Sequence, residues 1–144
     1  MSLEEFIVPV PRDVETDLLD ALEAFGIHAA TTVATGAEPG VVRVSRVGGD
    51  LQAHEQRDRP RMLIEVWGAD GPDAYELATA VWAACAVIRH RQVIVPGVAA
   101  TDVALDPPRS QDDPLAPGLK RVQFQMEYLT PLTEYTITEV GNNG

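Results

Sequence analysis

The residue types that most often carry chemistry are few in this sequence and poorly spaced for it. His28, His54 and His90 lie far apart with no second ligand at metal spacing, so each reads as a surface or satisfied histidine before it reads as a ligand. "HEQRD", beginning at His54, lacks the second histidine that a zinc-protease helix needs one turn further on. Cys85 falls on an apolar helical stripe and reads as a small core residue, and as the only cysteine it has no disulfide partner in the chain. "GGD" at Gly48 is too short to cradle a phosphate and lacks the helix and lysine that would follow. Asp112 and Asp113 sit in a proline-rich loop and read as solvated rather than catalytic, and no serine has a nucleophile-elbow context. The expectation is no catalytic residue, no cofactor and no metal.

Charge is distributed less evenly. The chain holds 22 Asp+Glu against 11 Lys+Arg, a formal charge of -11, which argues against a protein that grips nucleic acid by its phosphates. Yet Arg46, Arg57, Arg59 and Arg61 collect within "RVGGDLQAHEQRDRPR". Read as a long loop from Gly48 to Pro60, this segment is long for a hairpin connection, and on its residues alone it is a mobile solvated loop with scattered charges.

The elements that position these residues follow from periodicity. A first helix is predicted from Arg12 to Phe25, with Val14, Leu18, Leu22 and Phe25 on one stripe. Asp13, Asp17 and Asp20 line its other side, read first as a solvated face. Strands are predicted at Ile27–Val33, Val41–Val47 and Arg61–Trp67. "GADGPDAY" starts a second helix, with Pro72 in its first turn and Asp70 or Asp73 as cap; the helix runs to about Arg91 and "VPG" stops it. A strand at Val98–Leu105, a loop through "DPPRSQDDPLAPG" and a cleanly alternating strand at Leu119–Leu129 complete the pattern. The prediction is a single α+β domain over residues 1–130, a mainly antiparallel sheet with two helices packed on one face. Residues 131–144 form a C-terminal tail whose end, "TEVGNNG", has no hydrophobic content to hold it in place.

The second helix carries the least ordinary signal. Leu77, Val81, Ala84, Cys85 and Ile88 form a normal core stripe, but Tyr75, Thr79, Trp82, Ala83 and Ala86 make a second face with no charge between Glu76 and Arg89. A helix apolar on both sides is covered on both sides. A subunit interface anchored by Trp82, with Tyr75 and Ala86 beside it, is preferred over a wide core under long loops.

"VVRVSRVGG", a polar loop, "RPRMLIEVWG", the alanine-rich "AYELATAVWAACAVI", a Pro/Asp-rich loop and the closing "LKRVQFQMEYL" together resemble the tail terminator proteins of long-tailed phages, those of actinobacterial hosts in particular. The resemblance spans most of Leu18 to Leu129; "TPLTEYTITEVGNNG" has no match in the pattern. It implies a small α+β subunit that forms a hexameric ring at the head-proximal end of the virion tail. That ring caps the tail tube, joins it to the head-completion (stopper) protein and lets genome DNA through without specific binding. It implies no cofactor, no catalytic residues and no membrane. In such a ring Arg57, Arg59 and Arg61 are expected to meet a neighbour's carboxylates. An acidic lumen would draw on Asp13, Asp17 and Asp20 or on Asp112 and Asp113. Another head–tail connector or minor tail component is the near alternative; a small enzyme or ligand-binding domain is the alternative from a different class. The start, "MSLEEFIVPVPRD", shows neither a basic region nor a long apolar one, and the expected setting is a host cytoplasm.

Overall fold

A computed structural model describes residues 3–32, 37–52, 54 and 56–141. In chain order the elements are β1 (Leu3–Val10), α1 (Val14–Glu23), β2 (Val42–Gln52), β3 (Arg57–Gly68), α2 (Gly71–Arg91), β4 (Val93–Val95), β5 (Val98–Ala99), β6 (Thr101–Leu105), β7 (Arg109–Ser110), β8 (Lys120–Pro131) and β9 (Thr133–Val140). The central sheet is antiparallel in the order β2-β3-β8-β6, with β7 also paired to β8. This is the α+β architecture expected, with both helices contributing to one core on the sheet.

Alternation decides which side of the sheet is dry. Met62, Ile64 and Val66 of β3 and Val122, Phe124, Met126 and Tyr128 of β8 are all buried, and they pack with Val14, Leu18 and Leu22 of α1 and Val81, Cys85 and Ile88 of α2. Helix α1 starts where Asp13 accepts hydrogen bonds from the Thr16 N–H (3.1 Å) and hydroxyl (2.8 Å), satisfying a donor the helix cannot. Phe25 lies past its end and is 40% exposed, so the predicted stripe is one residue too long. Helix α2 is capped by Asp70, whose carboxylate accepts from the Asp73 N–H at 2.8 Å. Its end is set by Gln92 in the left-handed conformation (φ 59°), before the expected "VPG", which instead turns β4 into β5.

Four expectations need correction. The segment Ile27–Val33 is not a strand over its described part: only Ala30 bridges, in parallel, to Arg43, because the backbone runs beside the edge of β2 for a single pairing. Val33 lies outside the described residues. The stretch Gly48–Pro60 is no long loop; β2 and β3 continue as a hairpin, Gly48 paired with Arg61 and Gln52 with Arg57, past a bulge between Arg46 and Gly48. Just past the bulge the close pairing requires Gly49, since at φ 102° a Cβ would stand 1.9 Å from the Arg59 carbonyl oxygen. The strand predicted at Val98–Leu105 is broken into β5 and β6 at buried Ala100. Finally, most of the unassigned C-terminal tail is β9, which pairs along its whole length with β1, from Leu3 opposite Val140 to Val10 opposite Thr133.

Candidate assembly surfaces

Two of the four clustered arginines, Arg46 and Arg59, find carboxylate partners inside their own chain. Arg46 and Asp58 lie on facing strands of the hairpin and form a two-pronged pair, Nη1 to Oδ2 at 2.5 Å and Nη2 to Oδ1 at 2.8 Å. Asp58 is fully buried, and its carboxylate raises the Arg46 guanidinium further above its ordinary value. Arg59 donates to Asp102 at 2.7 Å and lies 3.6 Å from Glu127, again with a raised pKa that the Asp102 hydrogen bond chiefly causes. Arg61 is exposed, its guanidinium beside Gly48, and borders a polar recess with Asp106 and Glu127. Arg57 lies at the base of the β1–β9 ribbon, beside Pro9, Pro131 and Leu132. Arg59 is therefore already occupied by carboxylates of its own subunit.

A second network, invisible as a motif, covers the sheet face opposite the helices. Glu65 is 2% exposed and is held by Arg43 on one side (2.6 Å) and Arg121 on the other (3.1 Å). Arg43 also lies over the Trp67 ring, 5.4 Å from its centre. The one available sequence signal was Glu65 itself, a carboxylate in the middle of the most apolar strand; its partners sit on both neighbouring strands.

The acidic candidates divide. Asp17 is a correction: it is buried, and Arg12 donates to both of its oxygens at 2.9 and 3.0 Å, so it cannot line an open channel. Asp13 is exposed but serves as the α1 cap, and the Thr16 N–H holds its carboxyl below the usual value. Asp20 is exposed, as is Asp112, which lies 3.8 Å from Lys120. Asp113 ties its loop to the sheet by accepting from the Trp67 indole N–H at 3.1 Å and from the Leu115 N–H at 2.9 Å. The Leu115 bond is the main reason its carboxyl is also held low.

On α2, Val81 and Ile88 are buried against the sheet, with Leu77 half-buried. The outer face carries Tyr75, exposed, with Thr79 and Ala83 exposed and Ala86 half-buried. Trp82 is partly covered by its own chain: its indole N–H donates to the Asp106 carbonyl at 2.9 Å and Arg89 stacks over the ring at 5.7 Å. Beside it, Tyr75, Thr79, Leu105, Pro107 and Pro108 line a shallow apolar cleft of about 290 Å³. This surface has room for a further side chain.

Groups suited to catalysis are placed as the sequence suggested. Cys85 is buried, and burial pushes its thiol up to about 12, far from a reactive thiolate. His28 is exposed and holds Glu23 at 2.8 Å. The Tyr128 hydroxyl is buried with no hydrogen-bond partner among the described residues, and burial raises its pKa.

What periodicity missed is the ribbon of β1 and β9. All its side chains but Val10 are exposed, including Leu3, Phe6, Ile7, Val8, Tyr135, Ile137 and Val140. With both faces wet there is no core side to impose alternation on the sequence. Compared with models of protein families and with curated proteins, the chain matches none.

Proposed function

We propose that this chain is a structural subunit of a phage tail, a tail terminator. Copies form a ring, hexameric by the family pattern, that caps the tail tube at the head-proximal end of the virion and joins it to the stopper protein. It performs no catalysis. The supporting observation is the outer face of α2, where Tyr75, Thr79, Ala83 and Ala86 present an uncharged surface beside an apolar cleft while the core-facing stripe is already satisfied. A free-standing outer helix would be expected to carry charge there. The formal charge of -11 per subunit supports passage of DNA without retention, since no net positive field gathers phosphates.

Native mass measured with and without polymerised tail tubes tests the reading. A ring, free or formed on tube ends, is the expected result. Ala83→Glu, at an exposed position, should leave the thermal melt unchanged and abolish the ring. A chain that stays monomeric and ignores tubes would overturn the assignment.

A further inference from the structure

The β1–β9 ribbon is built to be covered. Residues directly opposite across an antiparallel pair share a face, so the register puts Phe6 with Ile137 and Val8 with Tyr135 on one side. That apolar patch ends at Glu4 opposite Glu139, a like-charge pair that destabilises the ribbon unless a cation comes between. The ribbon carries four carboxylates, Glu4, Glu5, Glu134 and Glu139, and no basic residue. Its complement is therefore an apolar groove with a basic lip.

Such a groove exists on this chain. Between the ends of α1 and α2 lies a cleft of about 340 Å³, walled by Phe25, Val87, Val93 and Pro96. Arg91 stacks over Phe25 at 6.0 Å and forms one lip, next to Arg89 and His90 in the last turn of α2; Asp20 stands on the other lip. Phe25 and Val93 are each 40% exposed, so the wall is open to an incoming apolar side chain.

No residue of the ribbon lines the cleft of its own subunit. The ribbon leaves the body beside the N-terminal end of α1, while the cleft lies at that helix's other end, a distance of about 15 Å along the axis. Its base is stiff. Only Pro11, Arg12 and Asp13 separate β1 from α1, with Arg12 locked to Asp17, and Leu132 alone separates β8 from β9, its N–H bonded to the Gln56 carbonyl. A ribbon of eight-residue strands extends about 27 Å, far enough to lie on a neighbour.

We infer that the ribbon of one subunit seats its Phe6/Val8/Tyr135/Ile137 face in the α1/α2 cleft of a second copy of this chain, with Glu4 and Glu139 against Arg91. The contact joins two different surfaces, so it is head-to-tail and propagates until rotation closes it into a ring. It rests on the assembly reading only in that copies meet one another, and it names a contact separate from the outer face of α2.

Engineered cysteines test it in the full-length chain, where buried Cys85 stays inert. Oxidising Phe6→Cys/Val93→Cys should give a ladder of multimers, whereas a mixture of the two single variants should stop at a heterodimer. Glu4→Arg/Glu139→Arg should cut the ladder at least about fivefold, Arg91→Glu should do the same, and combining all three should restore it. Equal melting temperatures of the variants exclude unfolding as the cause. No ladder, or no rescue by the charge exchange, overturns the inference. If Ala83→Cys then cross-links copies while the ribbon pair does not, the ring assignment stands and the ribbon belongs to a different protein.

Discussion

Removing either member of the Arg46–Asp58 pair should destabilise the fold, but by unequal amounts, and the inequality comes from burial. The Asp58 side chain is 1% exposed and that of Arg46 is 29% exposed. In Arg46→Ala the carboxylate stays in the interior without its two donors, the condition that costs about 3–5 kcal/mol for a broken buried pair. In Asp58→Ala the guanidinium can turn to water and keeps its bond to the Gly48 carbonyl at 3.1 Å, so about 2–3 kcal/mol is expected. Replacing both, with Arg46→Met/Asp58→Leu, removes the orphan charge and should recover more than half of the Arg46→Ala loss. Urea unfolding at neutral pH, followed by tryptophan fluorescence and far-UV circular dichroism, gives the three values. Equal losses in the two single variants, or losses under about 1 kcal/mol, would mean that the pair behaves as a surface contact and that the burial argument is wrong.

Tyr128→Phe should be neutral or stabilising by about 1 kcal/mol in the same assay, because the hydroxyl it deletes is buried without a partner; a comparable loss would reveal a partner that the fold conceals. Asp13→Ala should cost about 1 kcal/mol as a lost helix cap, while Asp13→Asn should cost little at neutral pH. The Asp13 carboxyl is depressed in the folded state, so its contribution is present above the unfolded value near ~4 and fades as pH falls through the folded one; Asp13→Asn should flatten the acid limb of the stability profile, measured by melts across that range. Purified protein should fail to retain duplex DNA at about 0.1 M salt in a filter-binding or shift assay; tight, salt-sensitive retention would point to a protein that grips nucleic acid.

Legibility in the sequence tracked the presence of a dry side. Met62, Ile64 and Val66, and Val122 to Tyr128, alternate because one face of each strand meets the helices, and both strands were evident. The hairpin end from Gly48 to Pro60 reads as loop because polar and charged residues occupy both of its faces and two glycines follow the bulge at Val47. The ribbon failed for the same reason in sharper form, since β9 is exposed at every position and β1 at all but one. The Asp70 cap of α2 is legible because an aspartate before a proline-led apolar stripe acts locally, whereas the Asp13 cap of α1 is not, since the expected helix begins at Arg12. The solvated reading of Asp17 fails because its neutralising partner, Arg12, comes from the turn preceding the helix.

The arginines also bear on how copies would meet in the proposed assembly. Arg12, Arg43, Arg46, Arg59 and Arg121 each hold a carboxylate of the same chain, so much of the basic complement is consumed in shaping the subunit. The carboxylates outnumber the cations two to one, and bringing like subunits together concentrates that excess. Broad ionic complementarity therefore cannot drive assembly, because too few cations remain to offset it. In the proposed assembly apolar contact would have to supply the attraction, and the exposed large apolar side chains are most numerous on the β1–β9 ribbon, with Tyr75 on the outer face of α2 and Phe25 and Val93 at the α1/α2 cleft. The cationic last turn of α2, with Arg89, His90 and Arg91, is then the place where one local ionic contact can fix orientation without having to carry affinity.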